Sequence, residues 1–154
     1  MRHKSHKMKN TNNTCWVIGH RISPVQVSGD YDMVIGQTPA NVPGPPPHYH
    51  SGYNEVFLVL EGEMEFVVEG EVRTVRAGES VDLPPDTIHT FSNKSDQGCK
   101  WVNIHSPKGF SAFFKAVGIP EAEEDAMARS VDDAVIQKVM RVAAQYDMHI
   151  KLQA

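Results

Sequence analysis

Between Glu55 and Ser106 the sequence repeats one kind of unit. EVFLVLEG, EMEFVVEG, EVRTVRAG, ESVDLP, IHTFSN and KWVNIHS each run about five to eight residues, and each closes on Gly, Pro, Asn or Ser. Short strands at even spacing, punctuated this way, predict an antiparallel sandwich or barrel. VVEGEVR reads as a hairpin with Glu69-Gly70 as the turn pair, because Gly70 can take a positive φ. Upstream, CWVIGHRI and DYDMVIGQ read as two further strands, with SPVQVSG between them. Val42-Pro43-Gly44-Pro45-Pro46-Pro47 then forms a stiff, extended approach that aims the residues after it.

After Pro107 the character changes. GFSAFFKAVGIP is apolar and aromatic, and EAEEDAMARS predicts a short helix after Pro120. Ser130 is placed to cap a second helix, with Asp132 and Asp133 in its first turn near the positive end of the dipole. Val135, Val139, Val142, Ala143 and Tyr146 recur at helical spacing and form one apolar stripe, expected to pack on the outside of the sheets. The reading is a basic, disordered tail over 1–14 and one domain over 15–154. That domain has a barrel to about residue 110 and a helical segment over about 111–152.

At 154 residues, with 22% charged and 40% hydrophobic side chains, the chain suits a soluble globular domain. A net charge of −4 gives no reason to expect a nucleic-acid partner. No run approaches the roughly 20 apolar residues of a membrane span, and no apolar segment follows the basic MRHKSHKMKN, so a cytoplasmic location is expected. Cys15 and Cys99 are too few for a disulfide framework and read as free thiols.

His48 and His50 are one residue apart, so on a strand both imidazoles face the same side. Such a pair alone is equally at home on a surface. Glu55 begins the next apolar run, and the turn Ser51-Gly52-Tyr53-Asn54 can bring it back to the two histidines. His89 follows the turn Pro84-Pro85-Asp86. Three imidazoles and one carboxylate suit a divalent transition metal: iron, manganese, nickel, cobalt, copper or zinc.

The spacing of the whole set is more specific. His48-Tyr49-His50, four residues, Glu55, six residues, Gly62 resembles the first motif of the cupin superfamily. Gly78, five residues, Pro84, then His89 and Asn93 resembles the second. PGPPPHYH, NEVFLVLEGEMEF and the late GFSAFF and AAQYDMHI segments are similar to the small, single-domain quercetinase-like cupins. The resemblance implies an all-β, double-stranded β-helix (jelly-roll) barrel with short C-terminal helices. It also implies metal ligation by His48, His50, Glu55 and His89, with Gly62, Gly78, Pro84 and Asn93 shaping the backbone. Two positions depart from the family pattern. Val42 and Asp86 stand where glycine is usual, and aspartate tolerates left-handed geometry well enough to keep the second turn.

Strand alternation extends the site. If Glu55 points inward, so do Phe57 and Val59, and Val56, Leu58 and Leu60 face out. Met64, Phe66 and Val68 share a face, as do His89 and Phe91. Trp101, Asn103 and His105 share a face whose direction the alternation leaves open, and His105 is expected at a solvent-facing strand end. Tyr53, Phe57, Phe66, Phe91 and His105 are the candidate pocket residues. The resemblance implies a metal-dependent dioxygenase for a small aromatic or enolisable substrate, with Glu55 as the base. The alternatives are a metal-dependent isomerase, epimerase or lyase, and a non-catalytic small-molecule-binding cupin. The apolar outer side of Val56, Leu58 and Leu60 predicts a homodimer.

Overall fold

In the computed structural model, residues 13–152 are described. The basic segment with His3 and His6 lies outside them. Thr14, assigned above to the tail, is buried, with its Oγ1 3.1 Å from Ser23 Oγ.

Two antiparallel sheets face each other. The seven-stranded sheet contains β1 (Cys15–Val17), β2 (His20–Val25), β3 (Asp32–Thr38), β5 (Asn54–Glu61), β8 (Ser80–Leu83), β10 (Cys99–Ser106) and β11 (Ile119–Pro120), in the order β11-β1-β2-β3-β10-β5-β8. The five-stranded sheet contains β4 (His48–Tyr49), β6 (Glu63–Val68), β7 (Glu71–Arg76), β9 (His89–Ser92) and β12 (His149–Ile150), in the order β12-β4-β9-β6-β7. Consecutive strands repeatedly cross from one sheet to the other, as in a jelly roll. Helices α1 (Ser111–Val117), α2 (Ala126–Arg129) and α3 (Asp133–Val142) complete the described elements, with a 3-10 turn over Ala143–Tyr146.

The alternation expected for β5 holds. Glu55, Phe57 and Val59 are buried, while Leu58 and Leu60 are 36% and 40% exposed. Met64, Phe66 and Val68 of β6 and Val81 and Leu83 of β8 also point inward. The face left open on β10 is settled: Trp101, Asn103 and His105 are buried. Phe57 packs against Phe66, Phe91 and Trp101 with ring centroids 5.0, 5.1 and 5.4 Å away. Each fully buried ring contributes roughly 2–3 kcal/mol. The hairpin turn is confirmed, with φ of 50° at Glu69 and 83° at Gly70. Asp86 has φ of 67°, so aspartate does substitute there for a left-handed glycine.

Three local expectations change. CWVIGHRI is not one strand but a hairpin, because Ile18 and Gly19 both take positive φ and turn β1 into β2. Only Gly19 signals this, since a β-branched residue rarely adopts such a conformation. GFSAFFKAVGIP contains the helix α1, and the helix in EAEEDAMARS starts only at Ala126. Ser130 does not cap α3, whose N-cap is Asp132. The Ser130 hydroxyl accepts from Gly19 N–H at 3.0 Å and donates to the Met127 carbonyl at 2.6 Å, tying the C-terminal segment to the first hairpin. That segment is also not purely helical. It returns β11 to one sheet and β12 to the other. Val139 and Ala143 bury the helical stripe as expected.

Candidate metal centre

His48 and His89 are directly opposite each other in the β4–β9 pairing, with ring centroids 4.4 Å apart. On the facing sheet, Glu55 and His105 are likewise direct partners in the β5–β10 pairing. His50 follows β4 and closes the group. The offered ligand atoms of His48, His50, Glu55 and His89 lie within 4.8 Å of one another, and all four residues are buried. Glu55 Oε2 is 3.3 Å from His50 Nε2 and 3.0 Å from His89 Nε2.

The backbone fixes which imidazole nitrogen is free. Nδ1 of His48 lies 2.9 Å from the Pro46 carbonyl, Nδ1 of His50 2.7 Å from that of Asp147, and Nδ1 of His89 2.9 Å from that of Thr87. A carbonyl oxygen can only accept, so each Nδ1 carries a proton, and in the neutral ring each Nε2 presents a lone pair. The Nε2 atoms of His50 and His89 and the Oε2 of Glu55 are buried without a hydrogen-bond partner. Orphaned acceptors at this density are costly unless a cation satisfies them. The donor set therefore fits a divalent transition ion.

Burial, reinforced by the neighbouring His89, pushes His48 down to about 3, so it stays neutral and ready to ligate. Burial also works to lower His89, but the adjoining Glu55 carboxylate outweighs it and raises that imidazole. For Glu55, burial alone would raise the carboxyl. The imidazoles of His105, His50 and His89 overcome that and hold it well below the usual carboxylate range. Its Oε1 accepts from Asn103 Nδ2 at 2.9 Å and lies 3.2 Å from His105 Nε2.

A second layer braces the ligands. Asp147, at a left-handed φ of 57°, accepts from Ser51 N–H at 3.0 Å and Gly52 N–H at 2.7 Å, and its own carbonyl orients His50. Partial burial works to raise Asp147, but the Ser51 hydroxyl, together with these two N–H donors, brings it down to about 2. Asn93 donates to the carbonyls of Thr38, Pro39 and Gln97, so its role is to hold backbone, as its motif position implies.

The cluster borders an interior cavity of about 60 Å³, whose wall includes Phe57, Phe91, Trp101, Phe110, Phe113 and His20. Of the candidate pocket residues, Phe57, Phe91 and His105 line it. Phe66 lies behind Phe57 and Phe91 in the core. Tyr53 packs its ring edge on His50, His105 and Phe110 rather than facing solvent. His105 is not at a solvent-facing strand end: it is 2% exposed and stacks on Phe110 with centroids 4.1 Å apart. Sequence reading missed His20 and Phe110. For His20 the only available signal was a lone histidine opening a strand. For Phe110 it was an aromatic cluster that reads equally well as core.

Two facing sheets around a buried set of three histidines and one carboxylate define a jelly-roll protein able to hold one metal ion. Residues 38–105 match the cupin domain family. Quercetin 2,3-dioxygenase of Bacillus subtilis (strain 168) is 28% identical over 106 residues, 66% of this chain and 30% of that protein. The chain thus aligns with less than half the length of that relative. A sugar phosphate isomerase of the cupin superfamily from Silicibacter pomeroyi superposes with a TM-score of 0.54 at 18% identity, over 58% of this chain and 60% of that one. A cupin 2 conserved barrel domain protein from Salinispora arenicola has a TM-score of 0.54 at 17% identity, over 84% and 89% of the two chains. No helix among the described residues is long and apolar enough to cross a membrane.

Proposed function

We propose that this chain is a metal-dependent dioxygenase for a small enolisable substrate, of 1,3-diketone size rather than flavonol size. The observation that carries this reading is the orphaned ligand cluster opening on an aromatic-walled cavity. Its likeness to a quercetin dioxygenase supports the reaction class. The cavity volume argues the size: about 60 Å³ is well short of the roughly 300–1,000 Å³ of sites for drug-sized ligands. A divalent metal ion held by His48, His50, Glu55 and His89 would acidify an enolisable carbonyl compound and supply redox chemistry toward dioxygen.

The chain's own residues then have separate tasks. Glu55 accepts the proton that the substrate loses on enolisation. The imidazoles that keep it ionised also make it a weak base, so it passes the proton on. His105, 3.2 Å from Oε1, is placed to receive it, and Asn103 fixes the carboxylate's orientation. Phe57, Phe91 and Phe110 exclude water. A metal-dependent isomerase is the second reading, because the same Glu55–His105 pair can move a proton between two carbons without consuming oxygen. The apolar wall, poorly suited to a sugar, ranks it second.

The test is oxygen uptake by metal-loaded protein with 1,3-diketones, with metal content measured on the same samples. Glu55→Gln should keep the three imidazoles and part of the metal, while turnover per bound metal falls by about 100-fold or more. Equal turnover per metal would reduce Glu55 to a ligand. Diketone conversion without oxygen uptake would favour the isomerase.

A further inference from the structure

The cavity has a second polar group, remote from the metal cluster. His20 borders it and is 3% exposed. Its Nδ1 lies 2.8 Å from Thr38 Oγ1, and Trp101 Nε1–H donates to that same hydroxyl oxygen at 2.9 Å. Thr38 is 1% exposed, so its hydroxyl hydrogen has no solvent to turn to. An indole N–H can only donate. The hydroxyl therefore uses one lone pair for Trp101, and its hydrogen goes to the other neighbour, His20 Nδ1. That leaves His20 as the tautomer protonated on Nε2.

This Nε2 is buried and has no hydrogen-bond partner. The Pro43 carbonyl is close enough to the ring to raise its pKa, yet too poorly placed to satisfy Nε2. Burial, partly offset by that carbonyl, brings the His20 pKa down to about 4, so the ring is neutral at ordinary pH. The result is an unsatisfied N–H donor in a mostly apolar stretch of wall, where Phe91 meets the His20 ring edge-on at 5.2 Å. An unmade hydrogen bond in such a place is a standing cost that a suitable ligand atom relieves.

The donor stands toward the opposite end of the cavity from the cluster. Along β10, His105 pairs with Glu55, whereas Trp101, four residues away, carries the relay to His20. Four strand residues span roughly 13 Å of backbone.

We propose that His20 is a second anchor in the ligand site, donating Nε2–H to an acceptor oxygen of the ligand. The preferred ligand then carries two oxygen functions: an enolisable one at the metal cluster and a neutral acceptor, a carbonyl or ether, at the far end. This rests on the reading above that the cavity holds an enolisable ligand.

The test uses the full chain loaded with zinc, which binds without turnover, and two diketones that differ by one atom. Octane-2,4-dione is apolar beyond its diketone. In 6-methoxyhexane-2,4-dione an oxygen replaces one methylene. Calorimetric titration should show the ether binding about 3- to 10-fold tighter than its isostere, the range of one modest hydrogen bond. His20→Phe, which keeps an aromatic ring, should abolish the preference, read as the ratio of the two affinities within the one variant, with zinc content unchanged. Equal binding of both compounds by the parent, or a preference that survives the substitution, overturns the proposal. Failure of both compounds to bind the zinc-loaded parent overturns the underlying substrate reading, and this anchor with it. Nitrogen-15 NMR of the parent needs no variant. It should find His20 protonated on Nε2, and a ring protonated on Nδ1 would overturn the relay that makes the anchor.

Discussion

The two ends of the interior use buried histidines in opposite ways. His48, His50 and His89 each give Nδ1–H to a backbone carbonyl, and His20 Nδ1 faces a side-chain hydroxyl. A carbonyl only accepts, so the first three turn a lone pair inward and suit a cation. The Thr38 hydroxyl accepts from Trp101 and, shut off from solvent, has only His20 Nδ1 to give its hydrogen to, so His20 keeps its own proton on Nε2 and suits an oxygen atom. The partner on the far side of the ring, more than the imidazole itself, decides what each end can bind.

The largest effect should come from breaking the cation end. His89→Ala removes one of four ligands from a shell that strand pairing has already built. Most metal should be lost while the far-ultraviolet spectrum and cooperative unfolding persist. Elemental analysis beside a thermal melt checks this, and parent-like metal content would mean that β9 does not supply a ligand.

A comparably large effect separates the two ends by pH. His20 has a folded pKa of about 4, against 6.5 for an unperturbed ring. Between those values the unfolded chain binds a proton that the folded chain does not. The corresponding stability is fully present above 6.5 and is lost as pH falls toward 4, by roughly 3 kcal/mol in all. Denaturant unfolding of metal-free protein should show the parent losing more stability over that window than His20→Phe. Parallel profiles would refute a neutral, buried His20.

A smaller effect should follow from loosening the brace. Asp147→Ala removes the acceptor for Ser51 and Gly52 and frees the loop that carries His50. Metal affinity should fall by about 10-fold, with little loss of folding cooperativity. Competition against a chelator measures it, and unchanged affinity would show that backbone pairing of β12 with β4 suffices.

The smallest is a twofold change in mass. On the outer face of the seven-stranded sheet, Ile35, Val102 and Leu58 form one cross-strand row, and Met33, Ile104 and Val56 form the next. We propose that this apolar patch pairs with its copy in a homodimer. Light scattering should give twice the chain mass, and Leu58→Glu should halve it. A monomeric parent at micromolar concentration would rule the dimer out.

Much of this was legible in the sequence by itself. Period-two alternation from Glu55 to Val68 named the inward residues, because a strand cannot turn one side chain without turning its neighbours. Glu69-Gly70 and Asp86 declared their turns through residues that tolerate positive φ. The four candidate metal ligands were legible because a fixed spacing on rigid strands is already a geometry. Tertiary structure alone decided the rest. Asp147 and Ser130 act on Ser51, Gly52 and Gly19 across about a hundred residues of chain, and local chemistry carries no record of such partners. The direction of His105 depended on which side of β10 the second sheet would cover. The role of His20 depended on a hydroxyl and an indole brought to it from β3 and β10. Sequence determines which atoms can donate or accept. Only packing brings the partner that settles which of the two a buried histidine will do.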